Sequence, residues 1–134
     1  MKKQVEDWIL LADNDLYAAE IILKDEYPLT NIVAFHCQQT IEKYLKAFII
    51  ENDIPMIKTH DLIKLNGMIK DIKDLGIDET KLMTINEVYI ESRYPSELGL
   101  MPYGIPSNEQ AESFIEFAKK VKSIIINELR TYAI

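Results

Sequence analysis

The sequence predicts an all-α protein, a five-helix, mainly antiparallel up-and-down bundle. Three observations predict it. Apolar residues recur every three and four positions through most of the chain. No stretch alternates apolar and polar residues as a half-buried strand does. Breakers such as Pro28, Pro55 and Gly76 fall between the periodic stretches. The 134 residues suit one domain, expected to span 1–134, without internal repeat, low-complexity tract or linker.

The first helix is expected from about Lys3 to Lys24, with Val5, Trp8, Ile9, Ala12, Leu16, Ala19, Ile22 and Leu23 inward and Glu6 and Asp7 favouring its positive end. Tyr27-Pro28 breaks it, because proline disfavours helix in the residue before it. The second helix should be capped by Thr30 or Asn31 and run to about Asn52, where Asp53-Ile54-Pro55 stops it. Thr59 is a plausible cap for a third helix carrying Leu62, Leu65, Ile69 and Ile72, closed by Gly76. A fourth, from about Asp78 to Ser92, offers Leu82, Ile85, Val88 and Tyr89 to the core. An irregular stretch from Arg93 to Pro106 follows, with Tyr94 and Tyr103 as aromatics able to stack on a base or pack on the bundle. Ser107 to Gln110 forms a capping box, and the last helix turns Ala111, Phe114, Ala118, Val121, Ile125 and Leu129 inward.

The second helix organises the rest. Ala34, Cys37, Ile41, Tyr44, Leu45 and Phe48 share one side, while Gln38, Gln39, Glu42, Lys43 and Lys46 share another, with His36 at the margin. Phe35, Ile49 and Ile50 interrupt that polar arc, which suggests a second covered surface: a neighbouring helix or another copy of the chain. These three are the expected interface residues of a homodimer.

Composition narrows the function classes. With 48% apolar and 28% charged residues the chain reads as an ordinary soluble domain. It shows no leader pattern and no apolar run long enough for a membrane span, so a cytoplasmic protein is expected. A net charge of −7 argues against extended DNA binding, which needs a basic stripe, so any nucleotide or RNA contact must come from a few local cations. The single Cys37 excludes an internal disulfide, and two separated histidines form no metal-ligand spacing, so neither metal nor cofactor is expected.

Arg93 is the first candidate, either as a planar donor fork for phosphate or base, or as a cation that satisfies helix carbonyls or pairs with Glu91 or Glu97. Lys43, Lys46 and Gln39 form a ridge that is solvated by default and otherwise lines a nucleotide cleft or meets a partner. His60 stands at a predicted helix start, open either to a cleft or to solvent, and His36 is expected to be a structural hydrogen-bonding residue.

The run His36-Cys37-Gln38-Gln39-Thr40-Ile41-Glu42-Lys43-Tyr44-Leu45-Lys46-Ala47, then Thr59-His60-Asp61-Leu62, then Arg93-Tyr94-Pro95, resembles the HEPN domain (higher eukaryotes and prokaryotes nucleotide-binding) across roughly residues 3–130. The resemblance implies a dimerising helical module that binds nucleotide or partners a separate minimal nucleotidyltransferase chain, often in toxin–antitoxin pairs. It also implies, as the alternative, a metal-independent ribonuclease in which an Arg is followed four to six residues later by a His. No histidine follows Arg93, so that motif is incomplete, and a catalytic reading rests on Arg93, Tyr94 and His60.

Overall fold

The structure, a computed structural model, describes residues 1–93 and 105–131, leaving aside the side chains of residues 90–93 and 131. Among the described residues five helices follow one another: α1 (Lys3–Leu23), α2 (Thr30–Glu51), α3 (Leu62–Lys70), α4 (Glu79–Arg93) and α5 (Asn108–Thr131). No strand occurs among the described residues, and none of their helices is long and apolar enough to cross a membrane.

The long helix α2 packs against each of the other four. Its inward residues Ala34, Cys37, Ile41, Tyr44, Leu45 and Phe48 are all fully buried, as the periodicity requires. Around it, α1 pairs with α5 and α3 with α4, while α4 and α5 meet α2 without packing extensively on each other. Side chains join α1 and α2 in antiparallel order, with Lys2 reaching Asp53 and Asp15 reaching His36. Leu82, Ile85, Val88 and Tyr89 of α4, and Ala111, Phe114, Ala118, Val121, Ile125 and Leu129 of α5, are buried as expected.

Helix ends agree less well with the sequence reading. Helix α2 has Leu29 at its cap position, with no side-chain bond. Thr30 is instead the first helical residue, and its hydroxyl donates to the carbonyl of Pro106, tying the α1–α2 connection to the start of α5. Asp61, not Thr59, caps α3: its carboxylate accepts from the amides of Ile63 and Lys64 at 2.9 and 3.4 Å. Thr59 supports the turn one step earlier by accepting from the Asp61 amide. Helix α3 stops at Lys70, well before Gly76, and Ile72 lies outside it with 65% exposure. Gly76 serves a later turn, where its φ of 72° suits a residue without a side chain. The capping box of α5 forms in both directions: the Gln110 amide donates to the Ser107 hydroxyl, and the Ser107 amide to the Gln110 side chain.

Candidate functional site

The polar arc of α2 is largely covered, because four helices surround it. Gln38 is fully buried and Glu42 nearly so, while Gln39, Lys43 and Lys46, expected by default to form a solvated ridge, are half-buried. The reason is the segment between α2 and α3, which folds back over the arc and places His60 against Glu42. The Gln38 amide donates to the His60 carbonyl at 3.0 Å and to Glu42 Oε1 at 3.3 Å, while the Gln39 amide donates to Gln38 Oε1 at 2.7 Å. Glu42 Oε1 lies 3.0 Å from His60 Nδ1, and its other oxygen accepts from Lys46 Nζ at 2.9 Å. No buried side-chain nitrogen or oxygen among the described residues is left without a partner, so the arc meets the requirement that buried polar groups be paired.

Lys46 and Lys43 are thereby committed within the chain. Lys46 is 12% exposed, pairs with Glu42 and lies 5.5 Å from the centroid of the Trp8 ring. Lys43, 20% exposed, pairs with Asp15, and Asp15 also binds His36 Nδ1 at 2.9 Å. His36 is the structural hydrogen-bonding residue its position suggests.

A shallow recess of about 140 Å³ remains beside this network, lined by His60, Asp61, Asn86 and Tyr89. Asn86 of α4 holds its floor together: its carbonyl oxygen accepts from the Leu62 amide at 3.2 Å, and its amide donates to Asp61 Oδ1 at 3.2 Å. The Tyr89 ring lies 6.2 Å from the His60 ring and stacks on Phe35 at 5.8 Å, so residues from α2, the α3 approach and α4 meet there. Because Nδ1 of His60 faces the Glu42 carboxylate, Nε2 is the nitrogen available to a ligand, on a side chain that is 58% exposed.

Arg93 is the last residue of α4, one helical turn beyond Tyr89, but its side chain and all of Tyr94, Glu97 and Tyr103 lie outside the described residues. The recess therefore brings together His60 of the expected site with Glu42, Asn86, Tyr89 and Phe35. Spacing alone did not single out Asn86 as a site residue. Its only sequence signal is an isolated amide three residues before Tyr89.

Of the three expected interface residues, Phe35 is 37% exposed and Ile50 is partly buried against the core. Ile49 is fully buried inside the protomer's own core, which corrects its assignment to an external seam. It belongs to the protomer's own hydrophobic core cluster, so no second chain is needed to cover it. Among the described residues no group of three His, Cys, Asp or Glu side chains converges as metal ligands would.

The comparisons with known proteins agree with this architecture. No curated protein matches the chain. The crystal structure of ST0689, an archaeal HEPN homologue, superposes with a TM-score of 0.71 at 23% identity, covering 96% of this chain and 98% of that one. The crystal structure of TT1696 from Thermus thermophilus superposes with a TM-score of 0.70 at 20% identity, covering 94% and 98%. At these identities the likeness concerns the fold. The HEPN domain family model matches residues 5–129, nearly the whole helical body, and the chain belongs to that family.

Proposed function

We propose that the chain is a HEPN-type binding module that self-associates, contacts a nucleotide at the His60 recess, and pairs with a separate minimal nucleotidyltransferase chain in a toxin–antitoxin-type system. The observation that carries the nucleotide contact is the recess itself. It presents an exposed imidazole with a fixed orientation beside Tyr89 and Phe35, one helical turn from Arg93. Imidazole and guanidinium suit a phosphate, and an aromatic ledge suits a base. Self-association is supported by apolar side chains the single chain leaves open. On α1, Leu10, Tyr17 and Ile21 are 60, 68 and 51% exposed and share one face, and Phe35 adds to the open apolar surface from α2.

Titration with a nucleoside monophosphate and triphosphate, followed by calorimetry, tests the contact. Saturable binding that is lost in His60→Ala and Arg93→Ala supports it, and no binding heat with wild type overturns it. A tight complex of the chain with a co-expressed minimal nucleotidyltransferase would support the partnership, and failure to co-purify would count against it.

The Glu42–His60 pair favours a second reading, metal-independent RNA cleavage. A carboxylate behind Nδ1 leaves the Nε2 lone pair to accept the proton of a ribose 2′-hydroxyl. The 2′-oxygen would bond to phosphorus as the P–O5′ bond breaks, leaving a 2′,3′-cyclic phosphate and a 5′-hydroxyl that takes up a proton. The imidazole missing after Arg93 in sequence would then be supplied by the segment before α3. Incubation with total RNA in chelator distinguishes the readings: cleavage abolished by His60→Ala and by Arg93→Ala favours the enzyme, and intact RNA favours the binding module.

A further inference from the structure

Helices α4 and α5 both pack on α2 but not extensively on each other, and an open trench of about 420 Å³ lies between them. Its walls carry Lys81 from the first turn of α4 and Ser113, Lys119, Lys120 and Ser123 from α5, with Phe117 as an apolar floor. Ser113, Phe117, Lys120 and Ser123 recur along one side of α5, which aims them at the same space. None of these residues lines the His60 recess.

The charge of the trench is opposite to that of the chain. Across the sequence acidic groups outnumber basic ones, for a net charge of −7, yet among the described residues the trench is lined by three lysines against Glu116 alone. Many other lysines are neutralised: Lys43, Lys46, Lys70, Lys73 and Lys122 each hold a carboxylate. In the trench, Lys119 reaches Glu116 and Glu20 only at 3.7 and 4.0 Å. Among the described residues neither Lys81 nor Lys120 pairs with a carboxylate. Lys81 instead lies 5.9 Å from the centroid of the Phe117 ring, which steadies its stem without using its hydrogen-bond donors.

We propose that this trench binds a small phosphorylated molecule, its phosphate held by the Lys81 and Lys120 ammonium groups and by the serine hydroxyls. Lysine is a point-charge binder of phosphate, and hydroxyls complete the donor set around a tetrahedral anion. The volume lies in the range of small-ligand sites. A small anion is favoured over RNA because it senses charges within roughly one Debye length, about 8–10 Å at moderate salt. A long polyanion must also approach the surrounding acidic surface, which repels it.

The test uses the full chain and two probes, inorganic phosphate and ribose 5-phosphate, followed by amide chemical shifts. Chloride at matched ionic strength is the control. Saturable shifts should appear at Lys81, Phe117, Lys120 and Ser123, and Lys81→Gln/Lys120→Gln should weaken binding about tenfold or more. Glu116→Gln should tighten it by removing the one opposing charge. The lysines are exposed, so thermal melting of the double variant should match wild type. His60→Ala should leave the shifts at Lys81, Phe117, Lys120 and Ser123 as in wild type, which separates this site from the nucleotide contact proposed above. A chloride-like response, equal binding by the double variant, shifts confined to the His60 recess, or binding of an RNA oligomer without either small probe would each overturn the proposal.

Discussion

The carboxylate of Glu42 is only 4% exposed and lies 3.0 Å from Nδ1 of His60, a side chain that is 58% exposed. A buried acid thus holds the inner nitrogen of an outward-facing imidazole. The two residues are 18 apart in sequence, and the contact exists because the chain after α2 turns back across its polar arc.

Glu42→Gln keeps the shape and removes the charge. Lys46, 12% exposed, then loses its counter-ion, and the new amide brings a donor toward His60 and Gln38. The expected loss is about 3 kcal/mol, read as a lower urea midpoint at unchanged slope. Glu42→Gln/Lys46→Met should recover part of it, since the stranded ammonium is gone. Nitrogen NMR of wild type should show one ring tautomer for His60, protonated at Nδ1, and a mixture in Glu42→Gln. An unchanged midpoint would mean that the network contributes nothing to stability.

Phe35 and Ile49 separate packing from association. Ile49 is fully buried, so Ile49→Ala should cost about 2–5 kcal/mol and Ile49→Asp should prevent folding. Phe35→Glu should leave the helical circular dichroism intact, because that ring is 37% exposed. If Phe35 lies in a self-association surface, sedimentation should show dimer for wild type and monomer for the variant. A folded Ile49→Asp protein would refute the core assignment, and a monomeric wild type would refute the interface.

The contrast between these residues shows how far sequence reaches. Periodicity of three and four placed Ala34, Cys37, Ile41, Tyr44, Leu45 and Phe48 inside because an apolar face must be covered whatever covers it. The same reasoning put Gln38 and Glu42 on a polar arc and asked for a second covered surface, and that arc is buried because α2 is enclosed by four helices. Polar side chains can then be buried if each finds a partner. Those partners, the His60 carbonyl and Nδ1, come from a turn whose path no local pattern encodes. His60 was recognisable as a candidate, but Asn86 and the buried acid behind the imidazole became visible only when α3 and α4 were docked.

Asp61 tests the seat of the recess. Its carboxylate caps α3 and also accepts from the Asn86 amide, so one side chain joins a helix end to a second helix. Asp61→Ala should destabilise by about 1–2 kcal/mol, the usual cost of a lost cap. Hydrogen exchange should quicken in α3 more than in α1 or α5, because only α3 loses its first-turn acceptor. Asp61→Asn should retain most of the stability, since its side-chain oxygen can still accept. Uniform loss of protection across all five helices would contradict a local role.

Alkaline pH tests the buried acids of the core. Burial, with the Glu20 charge adding to it, pushes the Cys37 thiol from 9.0 up to about 12. Burial likewise raises the Tyr44 phenol above its ordinary 10.0, reinforced by its hydrogen bond to Asp13 and by that carboxylate's charge. Both groups keep their protons in the folded chain at pH values where the unfolded chain has released them. The unfolded state therefore binds fewer protons, and stability falls as pH rises. The contribution is complete below about pH 9 and fades above it, with a slope approaching about 1.4 kcal/mol per pH unit for each group ionised only when unfolded. Tyr44→Phe should flatten that slope by about one proton, and Asp13 would keep Lys122 at 3.0 Å as its partner. Iodoacetamide should modify Cys37 at mildly alkaline pH only as fast as the protein opens, since the thiolate is the reactive form and the folded site withholds it. Urea midpoints that stay flat up to about pH 10.5, or prompt alkylation of the folded protein, would show that these two side chains are not sealed in the core.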